Sequence, residues 1–159
     1  MICSLGQRLL GRGGVHGMDD LDFLILIHRT AALEVGALPR AMGLPQSRAM
    51  VPALQKQLRE SRSVAAQAQA YAKERGSRLR GPGTAALALA GAGLWVQARL
   101  DPSTSGLAER ILRENTGNTV QIARRLHQCT AQTDPALAAM ARRLLAAEEE
   151  NIREMRRFL

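Results

Sequence analysis

The chain has 159 residues, of which 46% are hydrophobic and 3% aromatic, and its formal net charge is +8. This length and composition fit one globular domain and exclude the collagen-like, disulfide-scaffold and disordered classes. Because Ala and Leu favour helices and aromatic residues are scarce, the composition predicts an all-α fold.

Residues 1–17 are predicted to form a flexible N-terminal extension, and residues 18–159 a single domain. The extension lacks the continuous apolar run and the cleavage site of a secretory signal. Two cysteines, Cys3 and Cys129, are too few for a disulfide framework. We therefore expect a reducing, cytoplasmic location.

Apolar residues at alternating steps of three and four predict the first two long helices. Asp19 and Asp20 are the predicted caps of a first helix over residues 19–41. A second helix is predicted to end at Gly76, with Pro52 in its first turn or at a kink. The predicted buried seam of the first helix consists of Leu21, Leu24, His28, Ala31, Val35, Leu38 and Met42.

Residues 76–83 are a predicted connection, and a short helix is expected from Thr84 to about Ala98. The segment from Gly81 to Val96, extended to Ala98, is uncharged and approaches the length of a membrane span. It is nevertheless rich in Ala and Gly, and Pro82 and Gln97 interrupt it, so no transmembrane segment is expected. The segment is instead a candidate interface, with Leu87, Leu89, Leu94 and Trp95 as its apolar contacts.

Two further long helices are predicted from their start signals. Asp101 to Ser103 mark the start of one, and Asp134 followed by Pro135 marks the start of the other, because a capping carboxylate before a proline is typical of a first helical turn. The whole pattern predicts an up-down four-helix bundle with a short extra helix in the connection between the second and third long helices.

Three segments carry a resemblance to a known family: LQKQLRES with YAKERG in the second helix, ILRENTGNTVQIARRLHQC in the third, and DPALAAMARRLLAAEEENIREMRRFL at the end. Over about residues 19–159 the chain resembles small bacterial ferritin-like four-helix-bundle proteins of unknown function. The resemblance implies a ferritin-like bundle and no established activity.

Metal-binding ferritin-like proteins use one Glu from each of two helices and a Glu-x-x-His pair from each of the other two. The counterparts implied here are Glu34, Glu60, Glu114 and Glu148. Ser63 and Asn151 stand where the two histidines would be, and both are weak ligands for these metals. The expectation is therefore no cofactor, with iron or manganese as the alternative.

Four polar residues fall on the predicted buried seams: His28, Ser61, Asn118 and Glu148. Each would cost about 1 to 3 kcal/mol if it were buried without a partner. We therefore expect them to meet in a hydrogen-bonded layer, with His28 bonded to Glu148 or Asn118. Such a layer would fix the helix register, and a small-ligand pocket is the alternative.

The positive charge is concentrated in residues 42–80, which contain eight cations and only two acidic residues, Glu60 and Glu74. The simpler interpretation is a solvated, arginine-rich surface, and the alternative is binding to nucleic acid or to an anionic membrane surface. The cations are Arg48, Lys56, Arg59, Arg62, Lys73, Arg75, Arg78 and Arg80.

No phosphate-binding glycine loop, G-x-S-x-G elbow or H-E-x-x-H motif occurs in the sequence. An enzyme is therefore not the expected class. The predicted function is a non-enzymatic helical bundle that acts as a homo-oligomer or with a protein partner. A degenerate carboxylate metal-binding protein and a binder of anionic surfaces are the alternatives.

Overall fold

A computed structural model describes residues 14–129 and 132–159, with side chains from residue 19 onward. Within these residues every regular element is helical, as the composition predicts. A 3-10 turn at Pro45–Met50 precedes the second helix, and another at Arg156–Phe158 follows the last. The α-helices are α1 (Gly14–Met42), α2 (Val51–Glu74), α3 (Thr84–Leu100), α4 (Thr104–His127) and α5 (Pro135–Met155).

The predicted starts of the last two long helices are confirmed. The Ser103 hydroxyl accepts a hydrogen bond from the Gly106 backbone N–H at 2.9 Å. Asp134 Oδ1 accepts one from the Ala136 N–H at 2.8 Å, and Pro135 occupies the first turn of α5. Both caps satisfy N–H groups that have no carbonyl partner within the helix.

The predicted start of the first helix is wrong. Because α1 begins at Gly14, residues 14–17 are helical rather than part of the extension, and Asp19 and Asp20 lie inside the helix. The two carboxylates contact other helices instead of capping their own. Asp19 pairs with Arg125 of α4 at 3.5 Å, and Asp20 accepts a hydrogen bond from the backbone N–H of Asp134. The rest of the predicted extension, residues 1–13, lies outside the described residues.

The second long helix divides into the 3-10 turn and α2, with Pro52 in the first turn of α2. Its predicted end at Gly76 is confirmed. Gly76 has a φ of 70°, a left-handed conformation that glycine adopts without a steric penalty, and its N–H donates to the carbonyl of Lys73.

The long helices pack in pairs, α1 against α2 and α4 against α5, and α2 also packs against α5. The shorter α3 lies on α1 and α4. Gly36 permits this approach, because a Cβ atom there would overlap the side chain of Leu87 on α3. No helix in the described part of the chain is both long and apolar enough to cross a bilayer.

The buried apolar residues form two clusters. The first core cluster centres on Phe23, Ile27, Val64, Ile122 and Leu144. The second includes Leu38, Leu54, Leu94, Leu107, Ile111 and Met155. It follows from these positions that α1 and α5 run from the first cluster to the second, whereas α2 and α4 run from the second to the first. The segment containing α3 therefore returns the chain to the end at which α2 began.

The predicted seam of α1 is partly wrong. Leu21 is 41% exposed, whereas Phe23 is 1% exposed. The buried face runs through Phe23, Ile27, Ala31, Glu34, Leu38 and Ala41. This face follows the 3.6-residue period of a straight helix, and a strict seven-residue repeat drifts about 20° per heptad away from it.

Candidate functional site

A polar layer crosses the interior between the two core clusters, and each long helix contributes to it. Asn118 Nδ2 donates to Glu34 Oε1 and to Glu148 Oε1, both at 3.1 Å. The Ser61 hydroxyl donates to Glu34 Oε2. The layer therefore joins α1, α2, α4 and α5 through the side chains of four residues.

The structure brings Ser61, Asn118 and Glu148 together in one layer, with Asn118 partly buried, but it does not bring His28 to them. His28 is buried, and burial lowers its pKa. It makes no hydrogen bond to Glu148 or Asn118 within the described part of the chain. His28 lies six residues before Glu34 on α1, about 9 Å along the axis at the usual helical rise. Glu34 occupies the position in the layer that was expected for the histidine.

A second pair of polar side chains lies next to this network and was missed by the sequence analysis. Gln57 Nε2 donates to Asn115 Oδ1 at 3.0 Å. Gln57 Oε1 and Asn115 Nδ2 are buried and have no hydrogen-bond partner among the described residues. The spacing along α4 could have revealed Asn115. Ile111 and Asn118 are seven residues apart on one face of the helix, and Asn115 is the intervening position on that face.

The electrostatics of the layer are set by its two carboxyl groups. Burial raises the pKa of Glu148 well above its usual range, and repulsion from Glu34 raises it further, while the hydrogen bond from Asn118 opposes the shift. Glu148 therefore remains protonated at neutral pH. Both oxygens of Glu34 accept hydrogen bonds, one from Ser61 and one from Asn118.

A cavity of about 300 Å³ lies beside the polar layer, between α1, α3 and α4. Leu33, Leu94 and Ile111 are among its apolar walls. Its polar lining includes Glu34, together with Thr30, Gln57, Asn115 and Asn118. The cavity thus combines an apolar compartment with a polar end that contains a carboxylate.

The four carboxylates implied as metal ligands by the resemblance are not brought together. Glu34 and Glu148 meet, but Glu60 pairs with Arg143 at 3.4 Å, and Arg143 also donates to Ser63. Glu114 pairs with Arg110 at 2.7 Å. Among the described residues, no group of three or more His, Cys, Asp or Glu side chains could hold a metal ion. The dimetal ligand set of metal-binding ferritin-like proteins does not fit this arrangement.

The four apolar residues predicted to form an interface divide between the two sides of α3. Leu94 is buried in the second core cluster, and Leu87 is half-buried against α1. Leu89 and Trp95 point outward, with exposed fractions of 74% and 55%. The first pair therefore attaches α3 to the body of the protein, and the second leaves an apolar outer side.

The eight cations of residues 42–80 are all exposed. Lys56 pairs with Glu150 at 3.3 Å. Arg75 pairs with Asp134 at 2.6 Å and stacks on the ring of Tyr71. The other six make no ion pair with any described residue: Arg48, Arg59, Arg62, Lys73, Arg78 and Arg80.

Comparison of the chain with protein-family models, curated proteins and solved structures finds no match. Four features of the described residues bear on function: the polar layer, the adjoining cavity, the outer side of α3 and the six cations without an ion pair.

Proposed function

We propose that this protein is a non-enzymatic helical bundle that acts by associating with a second copy of itself through α3. The proposal rests on one observation, the run of exposed apolar residues on the outer side of α3. The one charged residue described there is Arg99, whose guanidinium lies over the Trp95 ring, 4.2 Å from its centroid. Exposed apolar residues at adjoining positions on a helix are typical of a contact surface. We define the α3 outer face as Ala85, Ala88, Leu89, Ala92, Trp95, Val96 and Leu100, all of which are exposed.

The low charge of this face makes it the surface at which two copies repel each other least. Two molecules that each carry a net charge of +8 repel each other, and the repulsion is smallest where the opposed surfaces are uncharged. The alanines at positions 85, 88 and 92 permit close approach of two helix axes, because interaxial distance depends on side-chain size. A two-fold pair would place the same face on both sides of the interface.

The single tryptophan of the chain lies on this face, so it reports on association directly. We expect Trp95 emission to shift to shorter wavelength as protein concentration rises, and light scattering to show a dimer over the same range. Leu89→Gln should weaken the dimer about tenfold or more, because it places an amide in the centre of the apolar contact. Leu89 packs against no core cluster, so the variant should keep the wild-type helix content.

Val120→Gln is the matched control, since Val120 is an exposed apolar residue on α4. It should leave both the dimer and the Trp95 emission unchanged. A monomer at all concentrations, or equal weakening by the two substitutions, would contradict the proposed interface.

We also propose that the fold has ferritin-like topology. The directions of the four long helices support it, because α1 and α5 run opposite to α2 and α4, so that α2 and α4 are parallel to each other. The connection through α3 supports it as well, since ferritin-like bundles contain one long crossover between the second and third helices. The resemblance of residues 134–159 to that family points to the same topology.

Binding to an anionic surface is a second candidate, favoured by the six unpaired cations. Arg59 and Arg62 are three residues apart on α2 and therefore share a face. If they contact phosphates, Arg59→Gln with Arg62→Gln should reduce the salt dependence of binding to a DNA duplex by about two released counterions. The control is Arg113→Gln, because Arg113 already pairs with Glu109. No binding at low salt would remove this candidate.

A further inference from the structure

The cavity beside the polar layer retains hydrogen-bonding capacity that the protein does not use. Gln57 is 1% exposed and Asn115 is 2% exposed, and both line the cavity. Within the part of the chain that the structure describes, each leaves one amide atom without a partner, an acceptor on Gln57 and a donor on Asn115. A buried group in this state costs about 1 to 3 kcal/mol, so it calls for a partner that the chain itself does not supply.

We propose that this cavity binds a small organic cation, an ammonium group attached to an apolar body. The ammonium group would donate to the Glu34 carboxylate, because it carries three donors and no acceptor. It would also donate to Gln57 Oε1, which is buried, after a rotation of the Gln57 amide that brings this oxygen to the cavity surface. The apolar body would lie against Leu33, Leu94 and Ile111. Ligand sites typically combine such apolar walls with a few convergent polar groups.

The charge around the cavity favours a cation over an anion. Although the chain has a net charge of +8, no Arg, Lys or His among the described residues lines the cavity, whereas Glu34 does. The other acidic residue of the lining, Glu114, is paired with Arg110. Behind the lining, Asn118 Nδ2 donates to both Glu34 and Glu148. An anion would meet the Glu34 carboxylate without a compensating cation, in surroundings less polar than water.

The size of the cavity sets the scale of the ligand. An engineered protein cavity of about 150 Å³ holds a benzene molecule, so about 300 Å³ is enough for an aromatic ring with a short aminoalkyl chain. We therefore choose 2-phenylethylammonium as the probe. Its uncharged and anionic counterparts of similar size are 2-phenylethanol and 3-phenylpropionate.

The proposal is tested with these three compounds by two measurements: isothermal titration calorimetry for binding, and the thermal melting temperature for stabilisation of the protein. We expect saturable binding of the ammonium compound in the millimolar range, at least about tenfold weaker binding of the alcohol, and no binding of the anion. Glu34→Gln should abolish the preference for the cation, because it removes the charge at the polar end. Glu149→Gln is the matched control, and it should retain the preference because Glu149 is exposed on α5 and does not line the cavity.

A steric variant keeps the test decisive if Glu34→Gln fails to fold. Gly117 is exposed and lines the cavity, and a Cβ atom there would touch nothing within 4 Å. Gly117→Leu should therefore fold normally while filling part of the entrance, and ammonium binding should weaken at least about tenfold. Unchanged binding in this variant would place the ligand elsewhere and overturn the proposal.

Two further outcomes would also overturn it. Equal binding of the alcohol and the ammonium compound would show that the carboxylate is not used. Stabilisation by MnCl₂ that Glu148→Gln removes, without any response to the ammonium compound, would identify the carboxyl pair as a metal site. The monomeric variant Leu89→Gln should bind the ammonium compound like the wild type, so failure of the dimer proposal is distinguishable from failure of this one.

Discussion

Replacing Phe23 with alanine is expected to lower the free energy of unfolding by about 3 to 5 kcal/mol, the usual cost of removing a buried aromatic ring. Phe23 is 1% exposed and belongs to the first core cluster, where it packs with residues of α1, α2, α4 and α5. The guanidinium of Arg125 also lies over its ring, 5.9 Å from the centroid. The substitution would leave a cavity that four helices cannot close without shifting. Urea denaturation followed by circular dichroism measures the change.

The control for this prediction is the large apolar residue two positions earlier. Leu21 is 41% exposed, so Leu21→Ala should change the free energy of unfolding by no more than about 0.5 kcal/mol. If Leu21→Ala proved as costly as Phe23→Ala, the heptad-based seam would be correct and the observed orientation of α1 would be wrong.

Glu148→Gln is expected to stabilise the protein at neutral and alkaline pH, by a free energy on the order of 1 to 3 kcal/mol. Burial raises the pKa of Glu148 above its usual value of 4.5. Above that value the unfolded chain releases the proton while the folded protein retains it. The folded state then binds more protons, so the free energy of unfolding falls as the pH rises from about 4.5 towards the folded pKa. Glutamine has nearly the same shape and carries no titratable proton.

Denaturation of the wild type and the variant between pH 4 and pH 9 measures this effect. The two curves should meet at the acid end and diverge as the pH rises. Glu149→Gln is the matched control, because Glu149 is the next residue on α5 and is exposed. It should leave the slope unchanged. Parallel curves for the wild type and Glu148→Gln would show that Glu148 is ionised in the folded protein.

Features that depend on a few consecutive residues could be predicted from the sequence. The cap of α4 at Ser103, the start of α5 at Asp134 and Pro135, and the end of the second helix at Gly76 all follow from local backbone chemistry. The low aromatic content and the abundance of Ala and Leu likewise determined the helical class. Three members of the polar layer were found as well, because a polar residue on an apolar stripe must find a partner.

Features that depend on the rotation of one helix against another could not be predicted in this way. Whether Glu34 or Val35 enters the layer depends on how α1 is rotated against its neighbours, because both residues lie between the buried Ala31 and Leu38. The position of α3 on α1 and α4 decides which of its leucines are buried. It brings Leu87 and Leu94 into contact with the other helices and leaves Leu89 and Trp95 exposed. The cavity has the same origin, because it is the space left between three helices.

The sequence by itself determined which segments are helical and where most of them begin and end, since those choices are local. Only the tertiary structure decided which carboxylates meet and where a ligand could enter, since those depend on the packing of whole helices.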